Sequence, residues 1–209
     1  MKLNINPTIS NRYASFVYYG MRTIVFLSTI GFGLLGDWVS AVSAGLILTL
    51  MLLPRLVKFW YEIYLPFALE LAMVAFVFFS VFLGSLHDYY ERFPLWDGIL
   101  HFQSGLLLGI VGFLVVYLMN SGQTKKLHMS AGFVSFFAVC FSVTIAVVWE
   151  VYEYAVDVWF GFNMQESGIP DTMGDLIVGG AGAIIVASLG YIWMKRSNQL
   201  PFVPEKFIT

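Results

Sequence analysis

Three short motifs hold most of the groups in this sequence that could bind a cation or move a proton. They are Asp97-x3-His101, Glu150-x2-Glu153-x3-Asp157 and Asp171-x3-Asp175. Residues three or four apart lie on one face of an α-helix. On helices, each motif therefore presents its side chains as a single stripe. Carboxylates joined by one imidazole make a hard donor set, better suited to Mg, Mn, Ca or non-haem Fe than to a closed zinc site. The same groups, crowded together, could instead act as acids and bases with perturbed proton affinity. Neither Gly-x-Ser-x-Gly nor His-Glu-x2-His occurs, so the common membrane-hydrolase patterns do not fit.

The elements that must carry these stripes follow from composition. The 209 residues are 59% hydrophobic and 11% charged, with mean hydropathy +0.79. A soluble domain carries roughly 25% charged residues. So few charges cannot cover a water-facing surface, and the apolar residues fall in long runs that read as membrane spans. The expected fold class is all-α, a polytopic bundle of six transmembrane helices forming one integral membrane domain over 1–209. The spans are expected at about 14–35, 38–53, 63–84, 99–119, 130–150 and 174–194, with Pro54 ending the second. Net charge is −2, and no nucleic-acid patch is visible, so the partner implied is the lipid bilayer. The single cysteine, Cys140, excludes an intrachain disulfide and a cysteine-rich metal site.

Cations set the expected orientation. Lys2, Arg12, Arg55, Lys58, Lys125, Lys126, Lys195, Arg196 and Lys206 fall on one side of a six-span arrangement, which places both termini in the cytoplasm. Span one then reads as an uncleaved signal anchor. The opposite side receives Asp37, Asp88, Glu91, Asp97, Glu150, Glu153, Asp157, Glu166, Asp171 and Asp175, with His87 and His101. Counting along each span puts all three motifs at the outer headgroup layer, with span five continuing as a helix to about Trp159. Acids are costly near hydrocarbon, so a layer of them calls for a neutralising partner. Ordinary readings stand beside this one: solvated helix ends, Asp171 as the N-cap of span six, and His101 as a packing residue.

Other features bear on assembly. Arg22 and Glu70 lie at matching depth, about eight residues from the cytoplasmic ends of spans one and three, and are expected to form a structural ion pair. Gly105-x3-Gly109-x2-Gly112 and Gly179-Gly180-Ala181-Gly182-Ala183 would let spans four and six approach closely. That packing would bring Asp97 and His101 beside Asp171 and Asp175. Trp38, Trp96, Trp149 and Trp159 read as one interfacial belt, and the segment from Phe160 to Pro170 as a loop over the acids.

The sequences Trp96-Asp97-Gly98-Ile99-Leu100-His101-Phe102, Trp149-Glu150-Val151-Tyr152-Glu153 and Asp171-Thr172-Met173-Gly174-Asp175-Leu176-Ile177 resemble the VanZ-like superfamily, and within it the uncharacterised YjdF-type bacterial inner-membrane family. The resemblance spans roughly Leu83 to Leu189. Gly98 stands where that family usually has Lys, and the acidic segment of span five is longer here. The resemblance implies a bacterial cytoplasmic-membrane location and action at the cell envelope. It narrows the candidate site to Asp97, His101, Glu150, Glu153, Asp171 and Asp175; the donor chemistry of these residues, read separately, makes Asp97, His101, Glu150, Glu153 and Asp175 the candidate metal ligands. Asp157 and Glu166 become surface residues. The expected function is an outer-leaflet acid–histidine site acting on a lipid-linked or envelope molecule. A small transporter or ion carrier is the alternative, as is a structural or regulatory membrane protein.

Overall fold

The computed structural model describes residues 7–61, 66–121, 129–165, 168–197 and 199–201. Lys2, the Lys58 side chain, Lys125, Lys126, Glu166 and Lys206 lie outside the described residues. The described chain is all-helical: α1 (Pro7–Leu35), α2 (Trp38–Tyr61), α3 (Phe67–Val77) running into a π-helix (Phe78–Ser85), α4 (Tyr89–Arg92), α5 (Trp96–Ser121), α6 (Ala131–Phe160) and α7 (Ile169–Ser197). Among the described residues, six segments are long and apolar enough to cross a membrane: Arg12–Leu35, Trp38–Leu56, Phe67–Ser85, Trp96–Met119, Ala131–Phe160 and Ile169–Ser197. Large apolar side chains such as Phe16, Val39, Phe136 and Ile177 lie exposed along them, as a lipid solvent requires. Two compact units form, Met1–Trp96 and Asp97–Thr209.

The first unit packs Tyr18, Met21 and Val25 of α1 against Ile47 and Met51 of α2, Val74 of α3, and Phe78 and Phe82 of the π-helix. Gly36, at φ 78°, ends α1. The Asp37 and Gly36 N–H groups return to the Phe32 and Gly33 carbonyls at 3.0 and 3.2 Å, the Schellman pattern. Asp37 then opens α2 by accepting from the Ser40 N–H at 3.1 Å. Its bonds to Ser40, side chain first, hold the Asp37 carboxyl below the usual range. His87 packs on the Phe82 and Phe32 rings.

Pro54 does not end the second helix; α2 runs through it to Tyr61. Proline removes the donor that would serve the carbonyl four residues back. In apolar surroundings such gaps persist only where a neighbour supplies hydrogen bonds. Pro54 leaves the Leu50 carbonyl without its helical donor; buried Arg22 reaches the next residue from α1, donating from Nη2 to the Met51 carbonyl while its guanidinium sits 4.1 Å from the Tyr18 ring centre. Glu70 is buried in the first turn of α3, in the same unit.

Span three also departs from a plain α-helix. Its second half is a π-helix, in which the Leu86 N–H reaches the Val81 carbonyl at 3.0 Å. The Phe79 carbonyl there accepts from the Trp96 indole at 3.3 Å, and Gly84 lets the Tyr90 ring lie against the backbone.

The second unit is built from α5, α6 and α7 around Phe113, Val116, Val134, Ala138, Val186 and Met194. Its close approaches run through the glycines. A Cβ on Gly105 would meet the Gly179 carbonyl oxygen at 2.0 Å, and one on Gly182 the Phe102 oxygen at 2.5 Å. The Ser142 hydroxyl of α6 donates to the Gly105 carbonyl at 3.3 Å. Ser130 caps the start of α6 by accepting from the Phe133 N–H, and Gly161 ends it at φ 73°. At 1.5 Å per residue α6 is about 45 Å long, well beyond the ~30 Å hydrocarbon thickness. It therefore continues as a helix past Glu150, as its apolar-then-acidic pattern predicts.

Candidate acid–histidine site

Asp97 is the second residue of α5 and His101 lies one turn on. Asp175 is six residues into α7. Glu150 lies 19 residues into the oppositely running α6, about 29 Å from Ala131. The glycine contact at Gly105, Gly179 and Gly182 fixes α5 beside α7, so these starts and the far part of α6 meet at one end of the unit.

One ligand atom each from Asp97, His101 and Asp175 lie within 4.8 Å of one another. His101 Nε2 is 3.5 Å from Asp97 Oδ1, and Nδ1 is 3.8 Å from Glu150 Oε1. His101, Glu150, Glu153 and Asp175 are all buried, Glu150 to 4% exposure and Asp175 to 6%. Both Glu150 oxygens and Asp175 Oδ2 have no hydrogen-bond partner. Buried polar groups are normally paired, and leaving a charged one unpaired costs several kcal/mol or more. Solvated helix ends do not look like this.

The remaining candidates differ in their surroundings. Glu153 accepts the Trp149 indole N–H at 2.8 Å and lies in the electrostatic field of Glu150 and Asp97. Asp171 sits in the first turn of α7, after the helix has begun at Ile169, rather than before it as an N-cap. It acts electrostatically on both Glu150 and Asp175. Trp149, expected only as an interfacial anchor, thus also serves an acid.

Asp157 is not a free surface carboxylate. Its two oxygens accept the Met164 and Gln165 N–H groups at 2.7 and 2.9 Å, and the Gln165 side-chain amide donates to Thr172 of α7 at 2.7 Å. This acid ties the segment after α6 down beside the next helix. Nothing in the spacing of Asp157 marks Gln165 or Thr172 as partners. Asp157→Asn removes one acceptor and weakens a charge-assisted pair of bonds, for about 1–2 kcal/mol. We expect faster proteolysis between Phe160 and Pro170 in this variant, with the melting temperature of the whole protein nearly unchanged.

The sequence matches the family described as "Predicted membrane protein (DUF2238)" over residues 14–196. It is 28% identical over 146 residues to an uncharacterized protein of Thermotoga maritima, covering 68% of this chain and 70% of that relative. No solved structure matches it.

Proposed function

The chain belongs to this family of predicted membrane proteins, and from that premise we propose that it is a multi-pass membrane protein with a divalent-cation centre. Asp97, His101 and Asp175 are the protein ligands, with Glu150, Glu153 and Asp171 beside them. The observation that carries this reading is the gathering of three ligand atoms within 4.8 Å among buried carboxylate oxygens that lack hydrogen bonds. A cation supplies the missing partner and offsets the mutual repulsion of the acids. The donor set favours Mg, Mn, Ca or non-haem Fe.

The finer reading places this centre at the outer leaflet of a bacterial cytoplasmic membrane, both termini inside, acting on a lipid-linked or envelope molecule. The cation asymmetry of the sequence supports that orientation. The likeness to the VanZ-like superfamily and its YjdF-type branch supports the envelope setting. Arg22 and Glu70 pair as a structural clamp in this proposal, a reading supported by the burial of both within one unit.

Elemental analysis of the purified protein tests the centre. About one divalent ion per chain is expected in the wild type, and none in His101→Ala or Asp175→Asn. A wild-type protein that binds none of the four metals stoichiometrically would sink the proposal.

A further inference from the structure

We infer that Glu150 is the positioning residue of this centre, holding the His101 imidazole from one side while the opposite ring nitrogen faces Asp97. The inference rests on the cation-binding reading above. Two carboxylates flank the ring, Asp97 at Nε2 and Glu150 at Nδ1, at 3.5 and 3.8 Å. The two nitrogens of an imidazole diverge, so one ring cannot direct both at the same ion. Asp97 and Asp175 share the region within 4.8 Å of a His101 nitrogen, and Glu150 is not part of that group. Nε2, the nitrogen beside Asp97, is assigned as the ligand, and Nδ1, beside Glu150, as the anchored nitrogen.

The burial of Glu150 agrees. It is 4% exposed and neither oxygen is hydrogen-bonded. The ring N–H of His101 is one donor at hand; the other is the Thr172 hydroxyl, which accepts the Gln165 amide and keeps its own hydrogen to donate. At 3.8 Å the His101–Glu150 approach is a close charge contact rather than a hydrogen bond. Histidine ligands characteristically give their second N–H to a carboxylate, which fixes the tautomer and the ring orientation. Glu153, three residues on, turns one oxygen to the Trp149 indole, whereas the carboxylates within 4 Å of the His101 ring nitrogens are those of Asp97 and Glu150.

The test uses the full-length protein in nanodiscs titrated with Mn²⁺ and read by pulsed electron paramagnetic resonance. The wild type should show one site with nitrogen coupling from a single imidazole. Glu150→Gln should keep that site and its nitrogen coupling, with affinity weaker by about 10–100-fold. His101→Ala should abolish the coupling. Unchanged affinity in Glu150→Gln, or a loss as complete as in His101→Ala, would overturn the assignment. So would a wild-type Mn²⁺ signal without nitrogen coupling, a readout that needs no variant to fold. A wild type that binds another of the four metals but not Mn²⁺ is titrated with that metal by calorimetry, where Glu150→Gln should again weaken binding by about 10–100-fold and an unchanged affinity would overturn the assignment; binding none overturns the cation centre itself.

Discussion

Alanine at Gly105 is expected to stop the Asp97–Thr209 unit from reaching a stable fold, while alanine at Gly180 passes almost unnoticed. The new methyl at Gly105 would sit 2.0 Å from the Gly179 carbonyl oxygen and 2.8 Å from its carbon, both backbone atoms. Overpacking typically costs about 1–3 kcal/mol when side chains can yield. Here a whole helix must yield, so the loss should exceed about 3 kcal/mol, a large part of the stability of a typical domain. A Cβ at Gly180 meets nothing within 4 Å, and Gly→Ala inside a helix gains up to about 1 kcal/mol. Thermal unfolding in detergent, followed by circular dichroism, separates the two. Displacing α5 from α7 also parts Asp97 and His101 from Asp175, so cation binding should vanish with the fold in Gly105→Ala and survive in Gly180→Ala. Two variants melting within a degree or so of each other would mean that α5 and α7 do not touch at these glycines.

That contact explains why so much of the site could be read from the sequence. The i, i+4 spacing of Asp97 and His101, and of Asp171 and Asp175, is local, and a span in hydrocarbon has little choice but to be a helix. The small residues on spans four and six then predict which stripes meet, and the structure pairs them through Gly105, Gly179 and Gly182. What escaped the sequence depends on partners distant along the chain or on side-chain direction. Pro54 reads as a stop, yet α2 runs on to Tyr61, and the Arg22 side chain that bonds the adjoining turn comes from 29 residues before Met51. Asp157 reads as surface, because its partners are backbone N–H groups in the following connection. Glu150 and Glu153 look equivalent in sequence. They differ because one faces an imidazole nitrogen and the other an indole N–H. The π-helix of span three has no marker that hydropathy could reveal.

Asp175→Asn is expected to stabilise the cation-free protein and to destabilise it relative to wild type once the cation is present. Asp175 is 6% exposed, with one oxygen unpartnered; the carboxylates of Asp97, Asp171 and Glu150 act on it, and the His101 imidazole opposes them. No Lys or Arg falls within the three motifs, and Lys195 and Arg196 occupy the other end of α7. In chelator the wild type therefore holds several carboxyl groups around a single imidazole in an apolar unit, more acids than that one ring can offset. An amide of the same shape relieves part of that repulsion and brings its own donors, a gain on the order of 1–2 kcal/mol. Functional sites often hold such locally unfavourable arrangements at the expense of stability. A bound cation reverses the sign. At a hundred times its dissociation constant it stabilises the wild type by about 2.7 kcal/mol, and the variant, lacking a ligand, gains little. Melting temperatures measured with chelator and with excess Mn²⁺ should thus cross between the two proteins. If Asp175→Asn melts lower in both conditions, the carboxylate is a structural element of α7 and not a ligand. If it melts alike in both and equals wild type, the acids at this end of the unit are solvated and repel no one.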